Sequence, residues 1–360
     1  MRSPLKELLI RGSLAAAILG AALSASATPA AAATTYTITD LGSLGGGIAH
    51  GLAINASGQV TGDSVSSQLV QVPCPPRYGV PQTCFRHPDH AFVWSNGTMT
   101  DLGTLGGLDS QGVAINGSGE VVGYSAGKDT GTGGEFLWNG RNMKPLSAPA
   151  EAYGINDSGQ IAGQCRNSMF LQGYACVVSS NGAITALPES NPAIECLYIN
   201  TIIPANIPAA VAINNNGQVL GNCFNSAGGL AVLWTNDTPA VLPTLGGVAS
   251  SGTAISSNGQ VVGTSETSTG AEDGFLWSNG TMTDLGSNFS PAAVNDSGVI
   301  VGGQFIYSGG TLQNLNNLIP AGSGYQIQSA TGINDNGQIV VNATASGNPY
   351  QQHALLLTPH

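Results

Sequence analysis

One ten-residue phrase, A-I-N-x-x-G-Q-V-x-G, constrains the fold of this chain more than any other feature. It first reads Ala53-Ile54-Asn55-Ala56-Ser57-Gly58-Gln59-Val60-Thr61-Gly62, and its Asn position recurs at Asn116, Asn156, Asn214, Ser256, Asn295 and Asn334. The seven copies stand 61, 40, 58, 42, 39 and 39 residues apart. Self-similarity near 40 residues means one supersecondary unit stacked on copies of itself. Residues 250–286 show the unit cleanly. Gly252 to Ser256 is followed by the turn Ser257-Asn258-Gly259, and Gln260 to Ser265 by a polar loop. Gly274 to Trp277 then meets the hairpin signal Ser278-Asn279-Gly280 before Thr281 to Leu285. Asn-Gly between β-rich runs is a strong hairpin cue, because both residues tolerate positive φ. Four short antiparallel strands per repeat predict an all-β, seven-bladed β-propeller.

The seventh copy ends at His353-Ala354-Leu355-Leu356-Leu357 without a fourth strand. Tyr36-Thr37-Ile38-Thr39-Asp40-Leu41-Gly42 mimics the fourth run of copy one, Gly97-Thr98-Met99-Thr100-Asp101-Leu102-Gly103. Residues 35–42 are therefore expected to pair as the outer strand of the last blade and close the ring, removing two open sheet edges. Each first strand carries a β-branched residue before its Asn position (Ile54, Ile115, Ile155, Ile213, Ile255, Val294, Ile333) and Ala or Gly before that. The small residues let backbones crowd near an axis, while the bulky ones fill the wedge between blades. Trp94, Trp138, Trp234, Trp277 and Tyr307 recur in one register, as inter-blade core would.

Arg2, Lys6 and Arg11 precede the apolar run Ser13 to Gly20, and Ala31-Ala32-Ala33 offers a cleavage site. Residues 1–33 thus read as a signal peptide and 34–360 as one propeller domain, with a secreted, extracellular or periplasmic destination and no membrane span after cleavage. The net charge is −11 with only 9 Lys and Arg, so no basic patch exists for a phosphate backbone, and nucleic acid is excluded. The six cysteines of an exported chain read as disulfides. Sequential pairing of Cys74 with Cys84, Cys165 with Cys176 and Cys196 with Cys223 is the expected connectivity. No cysteine or histidine spacing suits zinc, so neither metal nor cofactor is expected.

The stretch Asp89-His90-Ala91-Phe92-Val93-Trp94-Ser95-Asn96-Gly97-Thr98-Met99-Thr100-Asp101-Leu102-Gly103-Thr104-Leu105-Gly106-Gly107 resembles the HAF-repeat family of bacterial extracellular proteins. His90-Ala91-Phe92 is the tripeptide that names that family. Only His353 repeats the His, and several copies lack the Leu-Gly-Gly phrase. The resemblance implies export and a repeat body, and brings no active-site residues.

With strands a to d ordered outward from the axis, the a–b and c–d turns share one face, and here they are minimal. Insertions at 64–89, 126–134, 166–173, 188–208, 224–229 and 266–273 all fall on the other face. Function concentrates on the variable loops of a rigid scaffold, so that face is the expected binding surface. Five residues before each Asn position, at the channel mouth, stand His50, Gln111, Glu151, Ala209, Ser251, Ser290 and Ser329. His50, Gln111, Glu151 and Ser251, with the insertion aromatics Tyr78, Phe85 and Tyr198, are the candidate ligand-binding residues, since amide, hydroxyl and aromatic groups suit a glycan. The expected function is non-catalytic binding of an extracellular or cell-surface partner, glycan included. No H-E-x-x-H is present, and no catalytic residue is singled out. The alternative is a polysaccharide hydrolase or lyase using two of Asp109, Glu135, Glu151, Glu195, Glu266, Glu272 and Asp273 on the same face.

Overall fold

The computed structural model describes residues 34–360 apart from 78–79, 128–132, 149–150, 167–172, 189, 192–193, 196–208 and 225–227. The signal-peptide reading of 1–33 lies outside the described residues, as do Tyr78 and Tyr198. Seven four-stranded antiparallel sheets form a β-propeller. Blade 1 runs from the axis outward as Gly45–Ile54, Val60–Ser66, Asp89–Ser95 and Thr98–Gly103. Blades 2, 3, 4, 5 and 6 occupy 106–145, 151–186, 209–241, 246–286 and 293–314. Blade 7 consists of Tyr325–Ile333, Ile339–Ala345, Asn348–Pro359 and, outermost, the N-terminal strand Tyr36–Asp40. That strand runs antiparallel to the end of the chain, from Tyr36 opposite Pro359 to Asp40 opposite Leu355. The expected closure is what the chain does.

Seven apolar clusters hold the wheel together, one at each junction between neighbouring blades. Between blades 7 and 1, for example, Val340, Ala354 and Leu356 meet Ala49, Val60, Phe92 and Trp94, with Leu41 capping the contact. Trp94, Trp138, Trp234, Trp277 and Tyr307 each lie opposite the first residue of the second strand. Trp94 and Trp234 are buried in these clusters, and the other three pack against them. The c–d hairpins turn through Asn96-Gly97 and Asn279-Gly280, with φ near 50° and 83° in both, the left-handed pair that a two-residue hairpin needs.

The repeated Asn forms a circular relay. Asn55 Oδ1 accepts from the N–H groups of Ser57 and Gln59 at 3.1 and 2.9 Å, tying its own turn. Its Nδ2 donates to Gln59 Oε1 at 2.7 Å and to the carbonyl of Asn116 in the next blade at 2.9 Å. Asn116, Asn156 and Asn214 reach the next blade likewise, and Asn295 reaches Asn334. Asn334 returns to the Asn55 carbonyl at 3.1 Å, so the relay runs round the ring except at Ser256. A buried amide that uses two donors and two acceptor sites leaves no polar atom unpaired.

Both glycines of the phrase are explained by backbone geometry. Gly58 stands at φ +76° in the a–b turn. Gly62 lies where a Cβ would come within 1.9 Å of the His50 carbonyl. That crowding follows from a bulge in the inner strand, where the register shifts between Gly51 and Ala53. The same bulge recurs in blades 2, 3, 4, 5 and 7. A bulge inserts one residue and re-aims those before it.

Cys165 and Cys176 are bridged, as expected, across neighbouring strands of blade 3. Cys84 and Cys223 are disulfide-bonded as well, and the side chains of Cys74 and Cys196 lie outside the described residues.

Candidate functional site

The insertion-bearing face holds a pocket of about 500 Å³ where blades 7, 1 and 2 meet near the axis. His50, Leu52, Asp63, Gln111, Ser329 and Gln352 are among its lining residues. The inner-strand bulge builds it. Ile54 pairs with Val60, and an unbroken register would put Ser64 opposite His50; the shift puts Asp63 there instead. His50 Nδ1 lies 2.9 Å from Asp63 Oδ2, and Gln111 Nε2 donates to Asp63 Oδ1 at 2.7 Å from the neighbouring blade. On the other side, His50 Nε2 lies 2.6 Å from Gln352 Oε1 of blade 7. Asp63 is only 8% exposed, so its carboxylate needs these two partners. The hydrogen bond to Asp63 raises the His50 pKa above the ordinary imidazole value, outweighing the opposite effect of burial.

Below this cluster Asn342 clamps the backbone of Gly51, accepting its N–H at 2.8 Å and donating to its carbonyl at 3.0 Å. Thr331 Oγ1 donates to the same carbonyl at 2.9 Å. The pocket floor is thus fixed from two blades. What remains at the mouth is a set of uncharged amides and hydroxyls around an ion pair that cancels its own charge. Two exposed aromatics stand at the b–c ends of blades 7 and 1. Tyr350 is 86% exposed, two residues before Gln352, and Phe85 is 62% exposed at the end of the two-stranded insertion of blade 1.

Of the expected ligand-binding residues, the structure therefore unites His50 and Gln111. Glu151 lies apart in blade 3, where the Tyr153 hydroxyl donates to it and Arg166 Nη2 stands 3.7 Å away. Beside it Glu135, 7% exposed, occupies a position that is Ala91 in blade 1 and Ala231 in blade 4. Burial pushes its pKa up to about 7, with Glu151 adding to the rise. Ser251 lines a separate pocket of about 390 Å³, together with Ser250, Thr264, Glu266 and Glu272. Among the described residues no group of His, Cys, Asp and Glu could hold a metal. Asp63 and Gln352 were missed by sequence reasoning. Asp63 had a signal, being the only charged residue after the b-strand Gly in any copy, but its pairing with His50 depends on the bulge.

On the opposite face the seven a–b turns surround an axial pocket of about 250 Å³. It is lined by Ile54, Ile115 and their counterparts, so the β-branched column borders the axis as well as the inter-blade wedges.

Solved structures share this architecture. The β-propeller domain of the Trilobed protease from Pyrococcus furiosus is 6% identical, with a TM-score of 0.53 over 86% of this chain and 93% of that one. U3-55K gives 10% identity and a TM-score of 0.51 over 90% and 98%. An acylaminoacyl peptidase of Pyrococcus horikoshii gives 8% and 0.50, over 86% of this chain and 50% of that one. At such identities the likeness is one of fold alone. Comparison with curated proteins finds no match. A family model described as protein of unknown function (DUF3466) matches residues 138–357.

Proposed function

The chain belongs to the DUF3466 family of proteins of unknown function, and we propose that it is an exported, non-catalytic binding propeller whose three-blade pocket takes a neutral glycan of an extracellular or cell-surface partner. One observation carries this reading: His50, Asp63, Gln111 and Gln352, from three blades, converge on one pocket whose lining joins the apolar Leu52 and Ala343 with amides and hydroxyls. Such groups match sugar hydroxyls, and exposed Tyr350 and Phe85 offer ring faces for a sugar's apolar side. The acidic chain argues against polyanionic glycans. Export, and the HAF-repeat resemblance, belong to the same proposal; the Cys165–Cys176 bridge fits an oxidising compartment. A glycan array probed with the wild type, Gln111→Ala and Gln352→Ala tests it. Binding weakened about fivefold or more by each change is expected, since a neutral hydrogen bond contributes about 1 kcal/mol. Array binding untouched by both changes would remove the pocket from the reading.

A second reading is favoured by Glu135. A carboxyl group that keeps its proton near neutrality beside another carboxyl group is the arrangement a glycoside hydrolase needs for its acid. Release of reducing sugar from a polysaccharide panel, abolished by Glu135→Gln, would support it; no release from any member would dispose of it.

A further inference from the structure

We infer that the protonation state of His50 decides which end of the Gln352 amide the pocket presents, so that ligand binding at this site is switched by pH. The inference rests on the binding reading above for its ligand, but not for its mechanism. Both ring nitrogens of His50 face oxygen acceptors: Nδ1 the Asp63 carboxylate at 2.9 Å, and Nε2 the Gln352 carbonyl oxygen at 2.6 Å. That arrangement is the one the imidazolium makes, with an N–H on each ring nitrogen; the neutral ring takes the same amide turned over. With Oε1 held by His50, the Gln352 NH₂ group is the end left for a ligand.

Loss of the proton leaves Nδ1–H on the carboxylate, because the carboxylate is the better acceptor, and turns Nε2 into an acceptor. The Gln352 amide must then rotate by half a turn, donating to His50 and offering its carbonyl oxygen to the pocket. Asp63 cannot absorb the change, since Gln111 Nε2 occupies its other oxygen at 2.7 Å. Gln111 therefore keeps one orientation at every pH, and only Gln352 inverts. Below the transition the pocket pairs a donor with an acceptor; above it, two acceptors face the ligand. The charged groups that act on His50 are Asp63, across the strand pair, and Asp89, on the third strand of the blade; both favour the imidazolium. Its partners from blades 7 and 2, Gln352 and Gln111, do not titrate. The transition accordingly lies above the ordinary imidazole value.

The test uses the full chain with ¹⁵N-labelled histidine and glutamine. In an NMR titration from pH 5 to 9, both His50 nitrogens should carry protons at the acid end. The Gln352 amide resonances should then move with the midpoint of His50, and stay still in His50→Gln. Gln352→Met, which keeps the length and loses the acceptor, should lower the His50 midpoint. A His50 that is neutral across the range, or a titrating His50 with an indifferent Gln352 amide, overturns the switch. In a binding arm, N-acetylglucosamine, whose amide carbonyl needs a donor, should bind about tenfold more weakly at pH 8.5 than at 5.5, and equally at both in His50→Gln. Equal wild-type affinity at the two pH values also overturns it. If the sugar binds at neither, the glycan reading suffers, and the amide resonances decide the switch by themselves.

Discussion

Ser256 is where the asparagine relay breaks. Its hydroxyl accepts from the Gln260 N–H at 3.1 Å but cannot also reach Asn295 and the Gln260 side chain. Gln260 Oε1 is consequently buried without a partner, whereas Gln59, Gln160, Gln218 and Gln338 accept from their Asn at 2.7–2.9 Å. Ser256→Asn should satisfy that oxygen and add an amide link to the two bonds that Asn258 already makes to Asp296 of blade 6, raising stability by about 1–3 kcal/mol in urea unfolding. A variant no more stable than the wild type would show that the relay contributes little. Blade 5 departs from the pattern a second time. Blades 1 and 7 pair His90 with Asp101 and His353 with Asp40, both at 2.9 Å. The corresponding position of blade 5 is Asp273, facing Asp284. Burial and then the neighbouring carboxylate raise the Asp273 pKa, and its Oδ1 has no hydrogen-bond partner. Asp273→His should recreate the ion pair and raise Tm at neutral pH, an effect that 1 M salt should reduce. The departures at 256 and 273 were visible in the sequence as exceptions to a column. Their cost was not, because it lies in atoms of the next blade or strand.

The N-terminal strand is the element on which the closed ring depends. Tyr36 and Leu41 are buried at its two ends, in the clusters on either side of blade 7. Asp40 accepts hydrogen bonds from His353 Nδ1 at 2.9 Å and from the Tyr325 hydroxyl at 2.8 Å. A chain beginning at residue 43 would lose all of this and expose the edge of Asn348–Pro359. It should melt well below the full chain and self-associate through the free edge. A synthetic peptide of residues 34–42 added in excess should restore the monomer; a truncated chain that stays monomeric and equally stable would refute the latch. This closure could be derived from sequence because it is a matter of counting strands and matching Thr-x-Thr-Asp-Leu-Gly of residues 37–42 to the fourth strand of blade 1 at 98–103. The pocket could not be derived in the same way. A bulge changes the partner of every residue beyond it while leaving the alternation of residue types nearly intact. His50 and Gln111 were therefore placed on the right face, and the Asp63 that joins them was not found.

Taken over the whole molecule, the titrating groups set an acidic stability optimum. Glu135 moves from an unfolded value of 4.5 to about 7 in the fold, so it favours the folded state when protonated. Its contribution is complete below pH 4.5 and is lost as the pH rises through 7, amounting to about 3 kcal/mol. His50 and His90 are raised by Asp63 and Asp101 respectively, so their contribution too is present at low pH and fades as the pH climbs past their folded values. Asp101 and Asp109 oppose this. Burial would raise both, but the His90 and Arg86 hydrogen bonds win and hold them low. Their stabilisation is present above the ordinary carboxylate range and disappears in stronger acid. The two sets cross in the ordinary carboxylate range, at about pH 4–4.5, where the chain should be most stable. Denaturant unfolding at pH 5 and pH 8 should show a loss of stability at the higher value. Glu135→Gln, which keeps the shape and cannot ionise, should recover a large part of that loss. A wild type equally stable at both, or a variant with the same pH slope, would mean that Glu135 is solvated by water drawn into the junction of blades 2 and 3 rather than held in a dry one. The net charge of −11 acts in the same direction, since protonating carboxylates relieves repulsion spread around the whole ring.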